Sequence, residues 1–110
     1  MFSLKNAYHG LVGSSSNLTN LGTWNAKFRP GIEFEKLAWP SEYRGSNNTM
    51  EAFVKDVTET LDSASVGGKV AGAFFECIQG VGGINPVPLG YLPKVVDLIR
   101  NKYGGLIVCD

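Results

Sequence analysis

Two carboxylates stand directly after apolar runs, Glu76 behind Val70–Phe75 and Asp110 behind Leu106–Cys109. A carboxylate at the end of a buried strand loses its solvation and must meet a cation or hydrogen-bond donors. Taken singly, each could as well cap a loop or a helix N-terminus. Two at equivalent ends of parallel strands point instead to a site. The only histidine, His9, lies in Tyr8-His9-Gly10, which suits either a turn with an aromatic plug or a general base. No Gly-x-Ser-x-Gly motif accompanies it, and Ser14-Ser15-Ser16 is expected to be a solvated loop, so hydrolase chemistry has no support. Gly80-Val81-Gly82-Gly83 lacks the Lys and Ser/Thr of a phosphate loop, has Asn85 where a dinucleotide fingerprint needs its third glycine, and is followed by Pro86 and Pro88 rather than by a helix. It is expected to be a tight turn that brings backbone close to a neighbour. Cys77 and Cys109 end apolar runs and are expected as buried free thiols, with a single disulfide or a metal pair as the alternative. His9 is far from both in sequence, so no zinc site is expected. Asn17-Leu18-Thr19 and Asn47-Asn48-Thr49 match the glycosylation sequon and are taken as chance.

Several elements must position these residues. Residues 1–10 read as a short strand, Phe2-Ser3-Leu4, and a polar-aromatic turn. Residues 11–48, rich in Ser, Asn, Gly and Pro, carry Trp24, Phe28, Phe34 and Trp39 at no regular period, which predicts a long irregular segment whose aromatics pack on something, another subunit being one choice. Met50, Phe53, Val54, Val57 and Leu61 recur at helical spacing and predict a helix over 49–63, with Asn48 and Glu51 as its capping arrangement. Residues 70–110 read as strand, helix, strand: Val70–Phe75, a helix with Leu92, Val95, Val96, Ile99 and Tyr103 on its apolar face and Gly104 as C-terminal cap, then Leu106–Cys109. Such a unit joins parallel strands in α/β folds, where ligands gather at the strands' carboxyl ends.

The 110 residues suit one small domain; 44% are hydrophobic and 18% charged, as in an ordinary folded protein. Ten basic residues balance ten acidic ones, so no charge footprint marks a nucleic-acid or acidic-membrane partner. The longest apolar run, Val70–Ile78, is interrupted by Glu76 and is less than half of the ~20 residues a bilayer span needs. Met1–Lys5 has no signal or presequence character.

A protonated pyridine nitrogen is one cation that strand-end carboxylates can hold. The spelling of five segments bears on this: Lys5-Asn6-Ala7-Tyr8-His9-Gly10, Pro40-Ser41-Glu42-Tyr43-Arg44-Gly45, Glu76-Cys77-Ile78-Gln79-Gly80-Val81-Gly82-Gly83, Pro88-Leu89-Gly90-Tyr91-Leu92 and Gly104-Gly105-Leu106-Ile107-Val108-Cys109-Asp110. Together they resemble the class III pyridoxal-phosphate-dependent aminotransferases, closest to the mitochondrial alanine-glyoxylate branch. The resemblance implies an α/β fold, part of the fold-type I large domain, with a parallel-rich sheet and flanking helices. It implies pyridoxal 5'-phosphate as cofactor, an amino acid and a 2-oxo acid as substrates, a homodimer and a mitochondrial location. It makes Tyr8 the aromatic residue stacked on the cofactor ring, with His9 and Gly10 completing that turn. Asp110 becomes the aspartate that holds the pyridine nitrogen protonated, and Glu76 an acidic residue paired with a substrate-handling arginine. Cys77 departs from the family, where Pro or another small residue is common, and is expected to alter only the turn. In the family the cofactor-bearing lysine lies downstream of the aspartate and the phosphate-binding loop upstream of Tyr-His-Gly. None of the seven lysines here matches that position, so this fragment is expected to be inactive alone and to contain no catalytic residue. A phospho-lyase acting on amino-alcohol phosphates and a non-catalytic α/β binding module are the alternatives.

Overall fold

Four strands pair in parallel in the order β2-β1-β3-β6, and their register fixes where each loop emerges. They are β1 (Phe2–Leu4), β2 (Glu35–Leu37), β3 (Gly72–Phe75) and β6 (Leu106–Cys109). A computed structural model describes residues 1–24, 34–43, 48–66 and 69–110. Phe28, Arg44, Gly45 and Asn47 of the motifs and spacings above lie outside the described residues. Phe2 faces Glu35 on one side and Ala73 on the other, while Phe75 faces Cys109. Gly72 permits the β3–β6 approach, because a Cβ there would collide with the Leu106 carbonyl.

Alternation along the strands separates two faces. Phe2, Leu4, Leu37, Ala73 and Phe75 point to one side, where Val57 and Leu61 of α2 (Met50–Ala64) and Tyr91 and Val95 of α3 (Tyr91–Asp97) complete the core. Ile99, in the π-helical turn Leu98–Lys102 that prolongs α3, joins them. Ser3 points to the other side and donates to the Leu18 carbonyl of α1 (Ser15–Leu18) at 2.8 Å. Fully burying such apolar side chains stabilises by about 1.5–3 kcal/mol each.

Several expectations need correcting. Residues 11–48 are not irregular throughout: α1, a 3-10 turn at Gly22–Trp24 and β2 lie within them. The edge strand β2 carries no apolar run because Glu35 and Lys36 are exposed and only Leu37 turns inward. Ser16 is buried, and the Ser15 and Ser16 hydroxyls donate to the Val12 and Gly13 carbonyls rather than to water. Two of the four aromatics find partners within the chain: Trp39 packs on the core and Trp24 on Tyr8. The cap of α2 is Thr49, whose hydroxyl accepts from Ala52 N at 3.2 Å, not Asn48. The apolar face of α3 buries Val95 and Ile99 and packs Leu92 and Tyr103 on the core as expected, but it also buries Tyr91, which the helical spacing had not included. Strand β6 forms as expected but is not buried on both faces, since Leu106 and Val108 are exposed at the sheet edge. A small antiparallel hairpin, β4 (Ile78–Gln79) and β5 (Asn85–Pro86), surrounds the glycine turn. No helix among the described residues is long and apolar enough to cross a membrane.

An exposed clamp ties α2 to the end of α3: Tyr103 Oη donates to Asp62 Oδ1 at 2.6 Å and Lys102 Nζ lies 2.9 Å from the same carboxylate. The Tyr103 hydroxyl, and next the Lys102 ammonium, hold the Asp62 carboxyl below its ordinary range. A group depressed in this way stabilises the fold above its unfolded pKa, and the contribution disappears as pH falls through the folded value. Asp62→Asn is therefore expected to lower Tm at neutral pH, with the difference from wild type closing as the pH is taken below the carboxylate range in a melting series. Tyr91 supplies a second test. Its ring packs edge-on to Phe53 at 6.5 Å, its hydroxyl meets no partner among the described residues, and burial pushes its phenol well up. Tyr91→Phe removes a desolvated hydroxyl and keeps the packing, so Tm is expected to hold or rise, whereas Tyr91→Ala should cost about 3–5 kcal/mol in denaturant melts.

Candidate active site

The chain leaves β1 for β2 on one side and returns to β3 on the other, so the sheet order reverses between β1 and β3. Ligands of open α/β sheets bind outside the carboxyl ends at such a reversal. The loop after β1 carries Tyr8, His9 and Gly10; Glu76 follows β3 and Asp110 follows β6. In-register pairing brings all of them to one end of the sheet, and Asp110 N bonds Phe75 O at 2.9 Å.

His9 Nδ1 lies 2.9 Å from Asp110 Oδ2. The imidazole is buried, with 1% of its side chain exposed, while the carboxylate is 55% exposed. Phe74 supports the ring edge-on at 5.7 Å. Asp110 is thus anchored through one oxygen, and the other accepts no hydrogen bond among the described residues. Tyr8 is half-buried and meets Trp24 edge-on at 5.6 Å.

Glu76 is 8% exposed, and both of its oxygens are engaged. Oε2 accepts from Tyr8 N at 2.9 Å and Oε1 from Gly80 N at 3.3 Å, which ties the β1 loop to the hairpin. No arginine among the described residues pairs with it.

Three further residues hold the β1 loop, and the sequence reading missed them. Thr19 Oγ1 accepts from His9 N at 2.8 Å and donates to Gly10 O at 2.7 Å. Asn20 accepts from Asn6 N and donates to Leu4 O at 2.8 Å. Gln79 Nε2 donates to Lys5 O at 2.8 Å. All three are buried. Satisfying backbone groups with buried side chains lets a loop leave regular structure without orphaned N–H or C=O groups. Asn6 takes a positive φ of 64° within it. The glycine turn makes the close approach expected of it: a Cβ on Gly82 would sit 2.8 Å from the Asn6 carbonyl. The one readable signal was Thr19, set aside as part of a sequon.

The cysteines correct their expectation. Both are exposed rather than buried, and their sulfurs lie 3.0 Å apart. Parallel pairing of β3 and β6 brings the two chain ends together, so Cys77 does more than alter a turn. The hydrogen bond between the sulfurs, and next burial, pushes the Cys77 thiol up. Among the described residues no group of three or more His, Cys, Asp or Glu could hold a metal ion.

No protein-family profile matches the chain. It is 32% identical over 97% of its length to alanine-glyoxylate aminotransferase 2 homolog 2, mitochondrial, of Arabidopsis thaliana, covering 22% of that protein. Among solved structures, a thermostable (S)-enantioselective omega-transaminase from Thermomicrobium roseum superposes with a TM-score of 0.82 at 31% identity, over 99% of this chain and 25% of that one. The omega-transaminase from Pseudomonas jessenii in complex with PMP gives 0.81 at 28% identity, again over 99% of this chain and 25% of that one. The chain spans about a quarter of the length of these relatives.

Glu76→Gln leaves an amide N–H₂ facing a backbone N–H. It is expected to destabilise the fold by about 1–3 kcal/mol in denaturant melts, against little change for exposed Glu59→Gln.

Proposed function

This chain belongs to the class III aminotransferases, and we propose that it contributes the ring-binding side of a pyridoxal phosphate site in an enzyme that moves an amino group from an amino acid such as alanine to glyoxylate or another 2-oxo acid. The observation that carries this reading is the His9–Asp110 contact of 2.9 Å at the reversal of strand order. When bound, pyridoxal phosphate supplies a protonated ring that takes up the electron pair left when the amino acid loses its proton. The residues present fit that ring. Asp110 offers its unbonded oxygen to the ring N–H, and the buried His9 keeps the carboxylate from rotating away. A carboxylate next to a cation shifts a pKa by roughly 1–3 units, about 1.4–4 kcal/mol in favour of the charged pair.

Tyr8 presents its ring to the face of the cofactor, steadied by Trp24 and by the Tyr8 N–H bond to Glu76. Gly10 ends that turn, its carbonyl held by Thr19. Glu76 spends one lone pair of each oxygen on a backbone N–H. Each oxygen keeps another, which can meet a cation on the substrate side. Alanine and glyoxylate as the substrate pair, a mitochondrial location and a homodimer belong to the same reading. The name of the Arabidopsis relative supports the first two, and the resemblance alone implies the dimer.

The test is transamination by the full-length protein that contains this segment, with pyridoxal phosphate supplied. Asp110→Asn is expected to lower kcat by about tenfold to a thousandfold while the protein still folds, as circular dichroism would report. Near wild-type turnover would refute the role given to Asp110.

A further inference from the structure

Two thiols stand where the ends of β3 and β6 meet, and the proposed cofactor reading does not use them. Register sets Phe75 beside Cys109, and Cys77 follows two residues later. Alternation puts both cysteines on the same side of the strand ends, opposite to Asp110. Their sulfurs are 3.0 Å apart, and both residues are open to small molecules. We propose that Cys77 and Cys109 are a thiol–disulfide pair, a covalent modification site that pins the carboxyl ends of β3 and β6 when the protein meets a low-molecular-weight disulfide.

The exchange balances in two steps. One cysteine gives its proton to solvent and its sulfur attacks the small disulfide, forming a mixed disulfide and expelling one small thiolate, which takes up a proton. The second cysteine, deprotonated in turn, attacks the protein sulfur of that mixed disulfide, forming the Cys77–Cys109 bond and expelling the second small thiolate, which is protonated likewise. Two protein thiols are oxidised by two electrons, and one small disulfide is reduced to two thiols. Sulfurs already in contact need no strand movement to complete the second step, so the mixed disulfide is short-lived. The bond closes the chain from Cys77 through the hairpin and α3 to Cys109. It also links the residue after Glu76 to the residue before Asp110.

The experiment is incubation of the folded protein with oxidised glutathione, followed by denaturation, maleimide labelling and mass spectrometry of the intact chain and its peptides. Wild type is expected to lose both labelling sites, carry no glutathione and show one bond within a single chain. Reductant should restore both sites. Oxidation should raise Tm by roughly 5–15 °C, an increase that reductant abolishes. Cys77→Ser and Cys109→Ser, each with one thiol left, should accumulate the glutathione adduct that wild type does not hold. Two labelled thiols in wild type, glutathione retained on either cysteine, or a bond running between two chains would overturn the proposal. The wild-type measurement needs neither variant to fold and does not depend on the cofactor reading.

Discussion

Side chains on a strand alternate with period two, so the pairing of Phe75 with Cys109 decides which residues can meet beyond the sheet. In the observed register Asp110 falls on the side of Phe74 and His9, while Phe75 points into the core. A slip of one residue would turn Asp110 toward α3 and place Cys109 against His9. It would also drive Ile107 off the core that it partly covers. Burial of the helix-facing side thus specifies the geometry of the polar side. Gly72 makes the pairing possible by letting the Leu106 carbonyl come close.

The β1 loop turns that geometry into a site. It leaves the sheet at Lys5 and ends at Gly10, and its backbone groups are met from two distant segments of the chain, Thr19 and Asn20 after α1 and Glu76 and Gln79 after β3. A buried polar network satisfied in this way is rigid, because losing any member leaves a desolvated partner. Tyr8 and His9 are therefore held before any ligand arrives, which lowers the cost of ordering them on binding. The glycine turn adds a close backbone approach at Gly82, where a Cβ would crowd the Asn6 carbonyl.

Periodicity made α2, β3 and β6 legible in the sequence, and the five spelled segments made the family and its carboxylates legible. Edge strand β2 was not, because an edge strand needs only one inward residue and Leu37 alone makes no pattern. Thr19, Asn20 and Gln79 were hidden for another reason: a polar residue in a loop looks solvated until tertiary contacts bury it. The cysteine pair was within reach, since two parallel neighbouring strands ending in Phe75-Glu76-Cys77 and Cys109-Asp110 bring their last residues together. The offset at the N-terminus of α2 reflects two adjacent capping residues, Asn48 and Thr49, that only the backbone distinguishes.

The His9–Asp110 contact joins the first loop to the last strand, and it can be observed directly because His9 is the only histidine in the chain. Nitrogen-15 NMR of the labelled imidazole in the folded protein reports which ring nitrogen carries the proton. With Nδ1 donating to Asp110, the expected result is a slowly exchanging proton on Nδ1 whose signal moves in Asp110→Asn. A proton resting on Nε2, or a spectrum indifferent to Asp110→Asn, would contradict the account.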